Sequence, residues 1–146
     1  MTIVDVSFII PMYNDAKHIE KCINHIKDQK LKSFEIIFID DGSIDNPENE
    51  INKYRNFDNI RFIRNQQNIG PGASRNKGLQ LARGEFVRFI DCDDDLPQES
   101  TKILLKKARA SNCDVVRGGY ISFNKDKEEI FRNTVDQDTI ITKNKI

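Results

Sequence analysis

Apolar residues along this chain alternate between two spacings. Residues 6–10, VSFII, are an apolar, β-branched run closed by Pro11, which marks a buried strand ending in a loop. In residues 14–29, Ile19, Cys22, Ile23 and Ile26 recur at i, i+3, i+4 and i+7, an amphipathic helix with Asn14 or Asp15 placed to cap it. The alternation then repeats. FEIIFID, 34–40, reads as a second buried strand, 46–57 as a short polar helix and IRFIR, 60–64, as a third strand. A glycine-rich loop leads into a helix over 73–83 that Gly84 stops, and EFVRFID, 85–91, is a fourth strand. Pro97 opens another helix with Ile103, Leu104 and Ala108 on its inner side. Residues 113–124 and 128–132 read as further strands around a turn, and the polar tail after Arg132 gives little signal.

Strands that alternate with helices predict an α/β fold with a mostly parallel sheet flanked by helices, Rossmann-like in plan. Such sheets bind ligands beyond the carboxyl ends of their strands. Three strands here end in polar chemistry: Pro11-Met12-Tyr13-Asn14, Asp40-Asp41-Gly42-Ser43 and Asp91-Cys92-Asp93-Asp94. With those strands parallel, the three segments converge on one rim.

Composition narrows the function classes. The length of 146 residues suits one domain over 1–146 with a real core. Lys plus Arg and Asp plus Glu both number 23, so no basic excess points to a nucleic-acid partner. No apolar stretch approaches the roughly 18 residues of a membrane span, and the first ten residues lack a signal-peptide pattern. The expectation is a cytoplasmic chain. Cys22, Cys92 and Cys113 are odd in number and irregular in spacing, which fits reduced thiols better than a disulfide framework or a zinc site. His18 and His25 have no Cys or acidic partner at ligand spacing and read as solvated surface.

The densest chemistry is RFIDCDDDLPQES, 88–100, with aspartate at four of five consecutive positions. Crowded like charges raise one another's pKa, so such a loop is costly unless a cation or solvent offsets it. Asp91 and Asp93 leave their strand as D-x-D, a spacing that lets two carboxylates face one cation, while Asp94 or Asp95 is placed to cap the next helix. An EF-hand would need Gly and Glu where Leu96 and Lys102 stand. A cation held by so few carboxylates completes its shell with water and substrate phosphates, so the metal implies a phosphorylated ligand. Asp40 and Asp41 can accept from a ribose or base, or form an Asx turn. NIGPGASRN, 68–76, offers backbone N–H groups at a helix start together with Arg75, and Lys77 follows directly.

Together VSFIIPMYN, FEIIFIDDGSID and NIGPGASRNKGLQLARGEFVRFIDCDDD resemble, in order and spacing, the family 2 glycosyltransferases, inverting enzymes of the GT-A nucleotide-sugar fold. The resemblance runs from residue 3 to about residue 117. It implies donor-nucleotide contacts from Pro11, Tyr13, Asn14, Asp40, Asp41, Asn68, Gly72, Arg75 and Asp91, and ligation of Mn²⁺ or Mg²⁺ by Asp93 with Asp91. It further implies a nucleotide-diphosphate-sugar donor, UDP-linked by preference, and a saccharide or lipid-linked acceptor in bacterial surface-polysaccharide or glycolipid assembly, in the cytoplasm or peripherally at the inner membrane face. The family's general base comes from a later acidic segment. Glu128, Glu129, Asp136 and Asp138 do not match it, so the base is expected beyond Ile146, the chain reading as the donor-binding half of a transferase truncated at its carboxyl end.

Other readings fit less well. A phosphotransfer receiver needs an acidic pair behind strand one and a lysine behind strand five, where this chain has PMYN and DVVRGGY. A haloacid-dehalogenase-type phosphatase places D-x-D-x-T on its first strand, whereas D-x-D here follows the fourth. A catalytically silent nucleotide-sugar-binding module is the remaining rival.

Overall fold

The computed structural model describes residues 4–124, 126 and 129–133. It divides into two compact units, residues 1–100 and 101–146. The first holds strands β1 (Val4–Met12), β2 (Phe34–Asp40), β3 (Ile60–Arg64) and β4 (Gly84–Phe89) with helices α1 (Ile19–Lys27), α2 (Pro47–Ile51) and α3 (Pro71–Leu81). The four strands form one parallel sheet in the order β3-β2-β1-β4. The chain steps outward from β1 to β3 and then returns to the other side of β1. That reversal makes the β1/β4 boundary the switch point, where a crevice opens at the carboxyl ends of a parallel sheet.

The two central strands show why their sequences do not alternate. In β1 residues 6–12 are all buried, and in β2 residues 35–40, as expected of strands covered on both faces. Helix α1 adds Ile19, Cys22, Ile23 and Ile26 to this core. Pro11 does not close β1, which continues through it to Met12 in register with Asp40. Met12 O accepts from the Asp41 N–H on the β2 side, so Pro11's missing N–H lies on the other side, where β4 has already ended opposite Ile9.

Other boundaries move for similar local reasons. The segment before α1 is a 3₁₀ turn, Ala16–His18, and neither Asn14 nor Asp15 caps it. The cap comes from Asp45 Oδ2, which accepts the Ala16 N–H at 2.8 Å. Helix α3 starts two residues early, with Pro71 in its first turn, and ends at Leu81. Gly84 is therefore not its stop but the first residue of β4, where a Cβ would lie 2.5 Å from Ser7 N.

A buried polar knot pins the opposite end of the sheet. Glu35, 2% exposed, accepts from Ser7 Oγ at 2.6 Å, Arg83 N at 2.6 Å and Arg61 Nη2 at 2.8 Å. Burial works to raise its pKa. The hydrogen bonds from Ser7 and the Arg83 N–H, then the charges of Arg61 and Arg83, outweigh burial and bring the pKa below its ordinary 4.5. A depressed folded-state value means that this stabilisation is present above pH 4.5 and is lost as pH falls through the folded value. Glu35→Gln is expected to cost about 2 kcal/mol at pH 7, with the gap to the parent narrowing below pH 4.5. Melting temperatures followed from pH 7 to pH 2 check this, and a constant gap would contradict it.

Helix α4 (Ser100–Ser111), all but its first residue in the second unit, buries Thr101, Leu105 and Ala108, while Ile103 is 65% exposed and Leu104 half-buried. The inner stripe is thus 101/105/108 rather than 103/104/108. The helix starts at Ser100, not at Pro97. Of the expected 113–124 strand, Tyr120–Phe123 (β5) forms a paired strand, antiparallel to β6 (Glu129–Asn133). Glu128, Asp136 and Asp138 lie outside the described residues. Among the described residues no helix is long and apolar enough to cross a membrane.

Candidate functional site

A cleft of about 360 Å³ opens at the carboxyl ends of β1, β2 and β4. Of the residues nominated by the sequence, Pro11 and Tyr13 reach it from β1 and its following turn, and Asp41 from the end of β2. Asn68 and Arg75 reach it from the loop and helix after β3, and Asp91 and Asp93 from the loop after β4. Tyr13 stands 48% exposed on the rim. Asn14, Asp40 and Gly72 are not among the lining residues.

The two aspartates ending β2 face different partners. Asp40 is fully buried, and its Oδ1 accepts from the Ser43 N–H at 3.0 Å and from the Ser43 hydroxyl. Its Oδ2 makes no hydrogen bond among the described residues, with Arg64 Nε 3.4 Å away as an ion-pair partner. Asp41, 3% exposed, holds the loop over the cleft: Oδ1 accepts from Ile69 N at 2.9 Å and Asn65 Nδ2 at 2.8 Å, and Oδ2 from Gly70 N at 2.8 Å. Burial opposes its ionisation, but the hydrogen bonds from Ile69, Asn65, Gly70 and Ser74 prevail and lower its pKa. Gly42 lets this loop close, since at φ +80° it carries no Cβ, and one would sit 3.2 Å from Asn68 N.

Asn14 acts on backbone. At φ +57° its N–H donates to Ser43 Oγ (2.9 Å) and its Oδ1 accepts the Ile44 N–H (2.9 Å), tying the β1 turn to the β2 turn. Gly72, in the first turn of α3, is exposed with open space around it.

The acidic loop is braced by cations at two points. Arg75 Nη2 lies 2.5 Å from Asp91 Oδ1, and Lys21 of α1 pairs with Asp95, so Asp95 serves as an ion-pair partner rather than a cap for α4. His25, read from sequence as solvated, borders this loop: its Nδ1 accepts the Leu96 N–H at 3.5 Å and lies 3.8 Å from Asp95 Oδ1. Gln29, completely buried, donates to Pro97 O at 3.1 Å and fixes the loop to the end of α1. Asp94 has its pKa raised, first by burial and then by the charges of Asp91 and Asp93. Asp93 is exposed, without a hydrogen bond or ion pair among the described residues.

Sequence reasoning missed several parts. Met12, Asp15, Pro71 and Cys92 also line the cleft. Cys92, buried against Cys22, has its thiol pKa pushed up by their hydrogen bond and by burial. Behind Asp41, Asn65 donates to Ser74 Oγ at 3.0 Å and accepts from Lys77 Nζ at 2.7 Å. Asn65 directly follows β3, and extending the strand-end rule to that strand would have nominated it.

Comparison with known proteins gives a consistent picture. The chain is 30% identical over 134 residues to "Glycosyltransferase GlyG" of Streptococcus pneumoniae, covering 91% of this chain and 44% of that protein. It is 35% identical over 120 residues to "Poly(ribitol-phosphate) beta-N-acetylglucosaminyltransferase TarP" of Staphylococcus aureus, covering 79% and 36%. Among solved structures, S. aureus TarS 1–349 in complex with UDP-GlcNAc superposes with a TM-score of 0.70 at 34% identity, covering 76% of this chain and 33% of that 1–349 chain. The chain thus spans less than half the length of these relatives, and its parallel sheet is that of a GT-A glycosyltransferase. The profile of glycosyl transferase family 2 matches residues 7–145, and with the sheet, the switch-point cleft and its aspartates in place, the chain belongs to that family.

Proposed function

We propose that this chain binds the nucleotide-diphosphate-sugar donor of a transferase that moves the sugar to an acceptor hydroxyl with inversion. The observation that carries this reading is the meeting, in one cleft, of the Asp41-held loop with Asp91 and Asp93. Tyr13 offers an exposed ring on the rim to a nucleobase, and Arg75 offers a guanidinium suited to phosphate oxygens. Asp91 and Asp93 supply the hard oxygen donors that fit Mn²⁺ or Mg²⁺, with space left for a diphosphate and water. A cation bound there offsets the charge that develops on the departing nucleoside diphosphate. UDP is the favoured nucleotide, since TarS was solved with UDP-GlcNAc. TarP's poly(ribitol-phosphate) acceptor supports a bacterial surface polymer or glycolipid as the acceptor class. The cytoplasm, or the inner membrane face, is the matching location.

Transfer also requires a base for the acceptor's proton, so binding and transfer are tested separately. Calorimetric titration of the 146-residue chain with UDP, GDP and their sugar conjugates, each with and without Mn²⁺, is expected to show metal-dependent binding of UDP and its conjugates. A folded chain that binds none of them would overturn the reading. UDP-sugar binding without turnover in the presence of saccharide acceptors is the result expected of a donor-binding part that does not itself supply the base, and turnover would show that the 146-residue chain supplies one.

A further inference from the structure

Two arginine–carboxylate clusters in this unit have opposite characters. Around Glu35, 3% exposed in its side chain, Arg61 and Arg83 are locked by several hydrogen bonds far from the cleft. At the cleft, Arg75 meets Asp91 through one Nη2–Oδ1 contact of 2.5 Å, with the side chains 31% and 53% exposed. A solvated pair with a single contact is weakly held and open to exchange. It is also placed against function, because the guanidinium cancels one of the two carboxylates suited to a divalent cation.

Resting on the donor-binding reading above, the geometry points to Arg75 as an exchangeable stand-in cation. Without metal its guanidinium neutralises Asp91; when a divalent cation and a nucleoside diphosphate arrive together, Arg75 leaves Asp91 and donates to phosphate oxygens. The acidic loop then never carries its whole negative charge unopposed, and metal and diphosphate assist one another's binding by equal factors. A fixed strut would behave differently. Removing a strut disorders the loop and weakens metal and nucleotide alike, whereas removing a stand-in moves the two affinities in opposite directions.

Mn²⁺ binding to the 146-residue chain, read from the electron paramagnetic resonance of free Mn²⁺, separates these cases for the parent, Arg75→Gln and Arg75→Lys. Arg75→Gln is expected to bind Mn²⁺ alone about two- to fivefold more tightly, the worth of an exposed ion pair. Its affinity for UDP in the presence of Mn²⁺ is expected to fall about tenfold or more, the worth of a charge-assisted hydrogen bond. Arg75→Lys keeps the charge and returns the affinity for Mn²⁺ alone toward the parent; should the glutamine variant fail to melt cooperatively, Arg75→Met, which keeps an apolar stem and removes the charge, takes its place. Unchanged or weaker Mn²⁺ binding by Arg75→Gln, with a parent that binds both ligands, overturns the stand-in and leaves the donor site intact. A parent that binds no Mn²⁺ even with UDP overturns the metal reading and the stand-in together.

Discussion

Replacing Asp41 with alanine is expected to lower stability by about 3–5 kcal/mol and to abolish measurable nucleotide binding. The carboxylate is 3% exposed and accepts from Ile69 N, Gly70 N and Asn65 Nδ2, each within 2.9 Å. Each hydrogen bond to a charged acceptor contributes about 1.5–3 kcal/mol, and bonds that share one acceptor group do not add fully. A domain of this size has roughly 5–15 kcal/mol in total, so the alanine variant stands near the threshold of unfolding. Asp41→Asn is the gentler test: it keeps the shape and one acceptor oxygen but turns an N–H₂ toward at least one of those donors. Its loss should be about 2 kcal/mol, seen as a lower urea midpoint at unchanged slope. Nucleotide affinity should fall with it, roughly tenfold or more, because the 68–70 loop over the cleft loses its anchor. An asparagine variant with the parent's midpoint would show that the carboxylate does not hold the loop.

How far such a site can be read from sequence depends on which contacts are local. The strands of the parallel sheet were legible because VSFII and FEIIF are buried on both faces and leave no alternation to misread. Their carboxyl ends follow from the fold class alone, which is why Asp41, Asp91 and Asp93 were nominated and meet in one cleft. What sequence could not divide was Asp40 from Asp41. Successive side chains at a strand end point to opposite sides, so one aspartate turns to Ser43 and Arg64 and the other to the 68–70 loop. Nor could it see pairs set by loop paths, such as Arg75 with Asp91, or Glu35 with Ser7, Arg61 and Arg83. A glutamate inside FEIIF gives no sign of partners 28, 26 and 48 positions away. Helix α4 failed for a different reason: apolar residues at 103, 104, 105 and 108 allow two overlapping stripes, and the buried one runs through Thr101.

Asp93→Ala should separate binding from stability as Asp41 variants cannot. Asp93 is exposed and has no hydrogen bond or ion pair among the described residues, so its removal takes no support from the fold. It also takes away one of the charges that, after burial, raise the pKa of Asp94. The melting temperature at pH 7 is therefore expected to be unchanged or slightly raised, within the roughly 0.5 kcal/mol usual for surface substitutions. Nucleotide binding should respond far more. If Asp93 ligates the cation that bridges to the diphosphate, the Mn²⁺-dependent part of UDP affinity should fall at least about 100-fold, since even outer partners of metal ligands cost 10–100-fold when removed. UDP binding without metal should hold or improve slightly, because one negative charge has gone from beside the phosphates. Calorimetry with and without Mn²⁺ on the parent and the variant reads all of these quantities. A variant that keeps the parent's Mn²⁺ enhancement would remove Asp93 from the metal site and leave Asp91, still paired to Arg75, as the carboxylate to test next.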